Sequence, residues 1–309
     1  MLAMLLLNQA FLFRYVIPKA AMHHYIDLHT HSTASDGSEP PAHLAALAQR
    51  AGITAFALTD HDTVDGVPAA CAAAEALGVE CIAGCEIAVP APVGELHIVG
   101  LWVPLHCSEF LRELDEEKFN RLERNLAILD RLHSLGLTLA MDDVQSLAHG
   151  PTLGRPHIAR AMVAKGLAKD TRDAFVRFLG SSGSAFVPRT LRSAEAGIHF
   201  LARSGATSVW AHPCLAPNND PDFIEQTIRQ FKEYGLKGIE AFHSAHTPRQ
   251  VRLCLKLAQK YGLLVSGGSD FHGKARPQAV LGYSQGHQRI SGYFLEQLVK
   301  ARLENGLPV

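Results

Sequence analysis

Short apolar runs alternate with amphipathic stretches over most of the 309 residues, which limits the folds that this chain can adopt. Strands that alternate with helices predict a parallel sheet with helices packed on it. A single α/β barrel can reach this length, and a hydrophobic content of 47% allows a sizeable core. The predicted strands are 25–29, 53–58, 79–83, 96–103, 207–211, 238–242 and 263–266.

This alternation stops over 108–187, where the periodicity is helical and no strand-like run occurs. A charged amphipathic stretch over 110–135 predicts one long helix, and shorter helices follow it. We therefore predict a small helical insertion domain over 108–187 that serves as a lid or binds substrate. The barrel domain would then comprise 22–107 and 188–309.

Residues 1–21 are largely apolar, and we predict that they form an extension outside the fold. A signal peptide would carry positive charge ahead of its apolar stretch, whereas the first charge here is Arg14. Asn8, Gln9 and Arg14 also interrupt the continuous apolar run that a membrane span needs. The hypothesis is that the extension reflects an upstream start codon, since Met22 directly precedes the first strand.

The formal net charge of -1 argues against tight binding to long duplex nucleic acid or to a membrane surface. A polyanionic substrate would have to be met by metal ions or by a few Arg residues. The six Cys include no CxxC pair, which indicates reduced, partly buried thiols in a cytoplasmic protein. The sequence leaves the oligomeric state open.

Histidines and carboxylates recur where the predicted strands end. In a β/α barrel the carboxyl ends of the strands share one face, so these side chains would converge there. His29 and His31 would also share one face of their strand, because strand side chains alternate. Asp36 lies on a loop closed by Gly37, and His97 is an exception inside its strand run. The nine candidate metal ligands are His29, His31, Asp36, His61, Glu86, His97, His212, Asp270 and His272.

Each of these residues alone would ordinarily be explained as a cap, a surface group or a satisfied core residue. That explanation is poor for nine residues that the predicted barrel would bring together at one face. Imidazole and carboxylate donors without thiolate favour Mn²⁺, Fe²⁺ or Zn²⁺ over Ca²⁺ or a structural Cys–zinc site. Asp60 is a candidate for orienting a ligand histidine rather than binding metal itself.

Six sequence motifs and one single residue carry a family resemblance. They are Asp27-Leu28-His29-Thr30-His31-Ser32, Asp36-Gly37, Thr59-Asp60-His61-Asp62-Thr63, Gly84-Cys85-Glu86, His97, Ala211-His212-Pro213 and Gly268-Ser269-Asp270-Phe271-His272. Together they resemble the PHP (polymerase and histidinol phosphatase) family over nearly the whole chain from Tyr25 onward. The resemblance implies a distorted (β/α)7 TIM-like barrel of the α/β class, the PHP fold. The chain is most similar to stand-alone PHP phosphoesterases with a helical insertion, among them 3',5'-nucleotide bisphosphate phosphatases and 5'-to-3' exoribonucleases (RNase AM).

The resemblance also implies a centre of three divalent metal ions, with manganese favoured and iron or zinc as alternatives. The three implied ligand sets are His29, His31, Glu86 and Asp270; Glu86, His97 and His212; and Asp36, His61 and His272. The implied catalytic residues are Asp36, His61, Glu86, Asp270 and His272.

The predicted activity is hydrolysis of nucleotide phosphate monoesters by attack of a metal-bridging hydroxide. Uncatalysed hydrolysis of such esters is among the slowest reactions known, so one acid–base pair would not suffice. The resemblance implies the 3'-phosphate of 3',5'-nucleotide bisphosphates as the target, with 5'-to-3' trimming of short RNA as a further activity. The alternatives are histidinol phosphatase or another small-molecule phosphatase on the same metals, an amidohydrolase, or a non-catalytic PHP module.

Five residues are predicted to bind substrate: Arg155, His157, Arg189, His243 and His246. Arg155 suits bidentate phosphate binding at the start of a helix, where anions are favoured. A solvated arginine on a loop explains it equally well, and the family resemblance favours phosphate. His243 and His246 follow a strand at the active face, where they could touch substrate, donate a proton or only cap a turn.

Overall fold

The computed structural model describes residues 24–92, 94–148, 150, 152–216 and 220–309. The predicted extension over 1–21 lies outside the described residues. Seven strands form one sheet in which each strand lies beside the next in the chain. These strands are β1 Ile26–Thr30, β2 Ala55–Leu58, β3 Glu80–Pro90, β4 Glu95–Leu101, β5 Thr207–Trp210, β6 Gly238–His243 and β7 Leu264–Gly268. A small antiparallel ribbon consists of β8 Tyr283–Ser284 and β9 Gln288–Arg289.

Helices follow most of the strands, as the alternation of apolar and amphipathic stretches predicted. They are α1 Pro41–Arg50, α2 Val67–Leu77, α3 Ser108–Ser134, α4 Met141–Gln145, α5 Arg155–Ala164, α6 Thr171–Ala174, α7 Ala194–Arg203, α8 Pro221–Glu233, α9 Pro248–Tyr261 and α10 Tyr293–Glu304. A π-helical turn, Phe175–Leu179, continues directly from α6. No helix of the described ranges is long and apolar enough to cross a membrane.

The sheet nearly closes into a barrel because its first and last strands meet. Just beyond β7, the Asp270 amide donates to the His29 carbonyl, and the His31 amide donates to the Phe271 carbonyl, each at 2.9 Å. A Cβ atom built on Gly268 would lie only 2.2 Å from the Cβ of His29, so this approach requires glycine. The predicted distorted α/β barrel is thereby confirmed.

One strand runs against the others, and the prediction of a parallel sheet is wrong for it. β4 pairs antiparallel with both β3 and β5, whereas the other neighbours in the sheet are parallel. The connection between β3 and β4 is too short for the crossover helix that a parallel pair needs. The amino end of β4 therefore lies at the barrel mouth, beside the carboxyl ends of the parallel strands.

Two apolar clusters are separate, and α3 contributes to both. Its first half places Phe110 and Leu114 in the barrel core. Its second half packs Ile128 and Leu132 into a smaller core shared with α5 and the π-helical turn. The helices between α3 and α7 thus have a core of their own beside the barrel. The domain boundaries at 108 and 187 stay a prediction.

Candidate metal centre

The structure brings all nine predicted ligands to the barrel mouth. His29 is the next-to-last residue of β1, His31 directly follows that strand, and His61 follows β2. His61 pairs by a backbone bridge with Glu86, which lies within the longer β3. His212 follows β5. Asp270 and His272 follow β7, where the bend after the strand gives Asp270 a positive φ of 57°. Five different strands, β1, β2, β3, β5 and β7, therefore supply these ligands to one face of the barrel.

Glu86 lies at the centre of this cluster, with only 1% of its surface exposed. Its Oε2 atom lies 3.3 Å from His29 Nε2, 3.2 Å from His31 Nε2 and 3.1 Å from His61 Nδ1. One carboxylate oxygen thus contacts imidazoles carried by two different strands.

The other oxygen of Glu86 contacts two further imidazoles. Oε1 lies 2.9 Å from His97 Nδ1 and 3.1 Å from His212 Nε2. His97 was an exception in the sequence analysis because it lies inside its strand run. The antiparallel direction of β4 explains its place, since a residue near the start of that strand stands at the mouth.

Asp270 and Asp36 complete the cluster on the side of His272. Asp270 Oδ1 lies 3.3 Å from His31 Nε2, 3.6 Å from His29 Nε2 and 3.4 Å from His272 Nδ1. Asp36 Oδ1 lies 3.2 Å from His272 Nε2. His272 therefore stands between two carboxylates that come from opposite ends of the chain.

The donor atoms are arranged better for binding metal ions than for hydrogen bonding with one another. His29 Nε2 and His31 Nε2 face each other at 3.1 Å, although two imidazole nitrogens can share only one proton. His61 Nδ1 and His272 Nε2 lie 3.1 and 3.2 Å from carboxylate oxygens of Glu86 and Asp36, but without the geometry of a hydrogen bond. Four donor sets have all their ligand atoms within 4.8 Å: His31, Asp36, His61 and His272; His29, Glu86 and His212; His29, His31 and Asp270; and His61, Glu86 and His97. Shared members mean that adjacent divalent ions, rather than one isolated ion, suit the cluster.

The pKa values of His31 and Glu86 are shifted in the directions expected for a site where buried carboxylates attract positive charge. Burial alone would lower the pKa of His31, but its contacts with Asp270 and Glu86 outweigh burial and raise that pKa to about 9. Burial alone would raise the pKa of Glu86, but the imidazoles around it hold that pKa well below its usual value. Burial instead lowers the pKa of His61 and of His212. Protonated imidazoles therefore balance only part of the buried negative charge, and divalent ions would supply the rest.

Glu240 is a residue of the centre that the sequence analysis missed. Its Oε1 atom lies 3.1 Å from His29 Nδ1, and its Oε2 atom accepts from the His212 amide at 2.7 Å. A carboxylate behind a histidine fixes the tautomer and orientation of the ring, leaving Nε2 for a metal. The sequence feature that could have indicated Glu240 is the presence of a charged residue inside the buried strand β6.

Replacing Glu240 by Gln is expected to weaken metal binding by roughly 10–100-fold, the usual effect of losing a partner behind a ligand histidine. The measurement is the Mn²⁺ concentration that gives half-maximal activity, with Glu233→Gln, an exposed glutamate on α8, as the control. At saturating Mn²⁺ most of the activity should return. An unchanged Mn²⁺ requirement would contradict a positioning role for Glu240.

Two buried aspartates support the ligand-bearing loops. Asp60 accepts from the amide and hydroxyl of Ser32 at 2.8 and 2.6 Å. It thus fixes the loop between His31 and Asp36. The Ser35 hydroxyl donates to Asp60 and lies 3.5 Å from His31 Nδ1, so Asp60 is also linked to a ligand histidine. Asp27 accepts from the amides of Ser269 and Gly282 at 2.9 and 2.7 Å, which ties β1 to the segment after β7.

The predicted substrate residues divide between the mouth and more distant positions. Arg155 begins α5, and its Nη2 atom lies 3.5 Å from Glu95 Oε1, which lines the cavity above the metal cluster. His157 is buried, and its Nδ1 accepts from the Gly154 amide, so that it caps α5. Arg189 is buried in ion pairs with Asp62 and Glu117 and is not among the cavity-lining residues.

The two histidines after β6 also differ. His243 Nε2 lies 3.3 Å from Asp270 Oδ2, which makes it a neighbour of the metal cluster. His246 is buried, and its Nδ1 lies 3.0 Å from the Ala241 carbonyl. Arg276, which the sequence analysis missed, pairs with Asp270 Oδ2 and lines the cavity. The only sequence feature that could have indicated Arg276 is its position four residues after His272.

A cavity of about 240 Å³ opens directly above the cluster. Its walls include five of the predicted ligands, His61, Glu86, His97, His212 and Asp270. Its other lining side chains include Glu95, Leu96, Trp210 and Arg276. A small anionic group could therefore reach the metal ligands and an arginine together.

Comparison with known proteins places this geometry in a family. The family model for the PHP domain matches residues 27–147. A 5'-3' exoribonuclease of Haemophilus influenzae is 35% identical over 246 residues, covering 80% of this chain and 89% of the relative. The chain belongs to the PHP family. A 3',5'-nucleoside bisphosphate phosphatase of Chromobacterium violaceum is a further PHP-type relative, 30% identical over 84% of this chain and 91% of its own length.

Solved structures agree with the PHP assignment. A Bifidobacterium adolescentis protein assigned as a metal-dependent phosphoesterase has a TM-score of 0.77 and 27% identity, covering 90% of this chain and 96% of its own. A Chromobacterium violaceum protein described as an amidohydrolase, with bound sulfate and no metal, has a TM-score of 0.79 and 29% identity at the same coverage. The predictions of the PHP family and of a metal-dependent phosphoric ester hydrolase are confirmed.

Proposed function

We propose that this PHP enzyme removes the 3'-phosphate from 3',5'-nucleoside bisphosphates and also trims short RNA from its 5' end. The observation that carries the proposal is the cluster around Glu86, which opens into a cavity of about 240 Å³ with Arg276 in its wall. Such a site suits a single phosphoryl group on a small substrate. The relatives from Haemophilus influenzae and Chromobacterium violaceum support the nucleotide class, since they are named for these two activities.

The proposed centre holds three divalent ions, with manganese as the first candidate. The proposed ligand sets are His29, His31, Glu86 and Asp270; Glu86, His97 and His212; and Asp36, His61 and His272. The short distances from Glu86 to its five imidazoles support the sharing of this residue between ions. When bound, these ions would supply an activated water and neutralise charge on the phosphoryl oxygens.

The protein's own residues would bind and orient the substrate. Arg276 is held at the cluster by Asp270 and would face one side of the phosphoryl group. Arg155 at the start of α5 would meet the second phosphate, since its Nη2 atom lies 3.5 Å from Glu95, which lines the cavity. His243 Nε2 would hold a proton near the leaving oxygen, close to Asp270. Fixed cationic groups of this kind stabilise developing negative charge without reorganisation.

The helical insertion would serve as the substrate domain. Arg121 on α3 donates to Asp62 Oδ2 at 2.6 Å, which anchors this long helix beside His61. Arg124 of the same helix and Arg155 of α5 both approach Glu95 Oε1, at 3.3 and 3.5 Å. The insertion thus brings these arginines to Glu95 at the mouth, where a phosphate would compete with that carboxylate for their guanidinium groups.

A substrate panel tests the proposal. Turnover would be compared by phosphate release from adenosine 3',5'-bisphosphate and histidinol phosphate, by mononucleotide release from a short 5'-phosphorylated RNA, and by amine release from a simple amide. Glu86→Gln protein would be the blank for contaminating enzymes. We expect the bisphosphate to have the highest kcat/KM and the RNA to be shortened from its 5' end. A higher kcat/KM for histidinol phosphate, or turnover of the amide alone, would overturn the proposal.

Replacing Arg155 by Ala is expected to raise KM for the bisphosphate by roughly 10–100-fold, the equivalent of losing one charge-assisted hydrogen bond. The value of kcat should change little, because the reacting phosphate lies at the metal cluster. Steady-state kinetics would be compared with Arg177→Ala, an exposed arginine of the same insertion. Unchanged KM would remove Arg155 from the site.

A further inference from the structure

A second set of metal-binding side chains lies outside the cluster around Glu86. Cys214, His246 and Cys254 each offer one ligand atom, and these three atoms lie within 4.8 Å of one another. At most 1% of each residue is exposed. The three residues come from different elements: the short turn Pro213–Leu215 after β5, the loop after β6, and α9.

The distance between the two sulfurs suits a shared cation. Cys214 Sγ and Cys254 Sγ are 3.6 Å apart, whereas a disulfide bond would need about 2.05 Å. Two thiolates bound to one zinc ion at ~2.3 Å in tetrahedral geometry lie ~3.7 Å apart. The sulfurs therefore already have nearly the separation that a shared zinc ion imposes.

His246 supplies the independent observation that points to a ligand. Its Nδ1 lies 3.0 Å from the Ala241 carbonyl, and it can bond that oxygen only as a donor. The proton is therefore on Nδ1, and Nε2 carries a free lone pair. Nε2 is buried and has no hydrogen-bond partner in the part of the chain that the structure describes. A histidine held through Nδ1 by a carbonyl is a frequent arrangement behind a metal-bound Nε2.

We propose that Cys214, His246 and Cys254 form a second, thiolate-containing metal site that binds Zn²⁺. Two thiolates and a neutral imidazole would cancel the charge of the ion, which a buried site requires. Three protein ligands leave one position of a tetrahedral zinc ion open. Zinc is bound in this way by two Cys and one His in other proteins. Thiolate donors distinguish this site from the Glu86 cluster, whose ligands are only imidazoles and carboxylates.

A bound ion would cross-link three elements next to the catalytic centre. Cys214 lies two residues after His212, which contacts Glu86 and has an unusual positive φ of 32°. His246 lies beside His243, with ring centroids 5.1 Å apart. The site would therefore fix the turn that carries His212. This inference does not depend on which phosphoester the enzyme cleaves.

Cobalt substitution tests the site in the full-length protein. Metal-stripped, reduced wild-type protein would be saturated with Co²⁺, and its near-ultraviolet spectrum recorded. We expect a sulfur-to-cobalt charge-transfer band, which imidazole and carboxylate ligands do not give. The band should persist in His61→Ala protein, in which the catalytic cluster is damaged. Absence of the band from saturated wild-type protein would overturn the proposal without any variant.

Variants then assign the ligands. Cys254→Ser should abolish the band, and His246→Gln should weaken Co²⁺ binding at this site on the order of tenfold or more. The matched control is Cys71→Ser, since Cys71 Sγ also lies close to a thiol, 2.6 Å from Cys81 Sγ, but belongs to no metal-binding set of the described residues. Zn²⁺ should raise the Tm of wild-type and Cys71→Ser protein more than that of Cys254→Ser protein. A band lost in Cys71→Ser or kept in Cys254→Ser would refute the assignment.

Discussion

Replacing Glu86 by Gln is expected to lower kcat/KM by at least about 10³-fold, the scale of removing a central electrostatic group from a preorganised site. Glu86 contacts His29, His31 and His61 through one oxygen and two more imidazoles through the other. The substitution keeps the size of the side chain but removes the negative charge that adjacent cations would share. The loss should therefore appear in both metal content and turnover.

The Glu86→Gln experiment has a control within the same strand. Glu80 is exposed at the opposite end of β3, so Glu80→Gln should retain wild-type activity. Metal content per chain would be measured by elemental analysis after dialysis, and folding by circular dichroism. A folded Glu86→Gln protein with wild-type turnover would show that this carboxylate is not the shared ligand.

Replacing Asp270 by Asn is expected to reduce turnover by roughly 10²–10³-fold while the fold persists. Asp270 has a φ of 57°, a conformation that asparagine tolerates well, so the backbone bend after β7 should survive. Its Oδ1 faces His29, His31 and His272, and the variant removes the charge that these contacts require. Metal content should fall together with kcat.

Asp222→Asn, an exposed position in the first turn of α8, serves as the matched control for this variant. Both proteins would be assayed with the bisphosphate substrate across a range of Mn²⁺ concentrations. We expect excess Mn²⁺ to restore little activity to Asp270→Asn protein. Full activity in that protein at ordinary Mn²⁺ concentrations would exclude Asp270 from the metal centre.

Local signals in the sequence were sufficient to predict most elements of the barrel. The helix Val67–Leu77, for example, ends at a stop signal that the sequence itself contains, because Gly78 takes a left-handed conformation with φ 68°. The predicted ligands at strand ends also converge, because parallel strands bring their carboxyl ends to one face whatever their spacing along the chain.

Features that depend on pairing between distant segments could not be predicted in the same way. β3 runs on to Pro90, beyond the predicted 79–83, because it pairs with β4 along its second half, and only the antiparallel direction of β4 brings His97 to the mouth. Glu240 contacts His29 across the barrel, a relation that no local motif contains. Arg189 resembled a phosphate ligand in sequence, but Asp62 and Glu117 bind its side chain in the folded protein.

The most direct test is a titration of metal-stripped wild-type protein with Mn²⁺ while phosphate release from adenosine 3',5'-bisphosphate is followed. We predict no release without metal and a maximal rate once about three ions per chain are bound, since clustered cations would supply the activated water. Phosphate release at the full rate from protein kept free of divalent metal by a chelator would contradict the account.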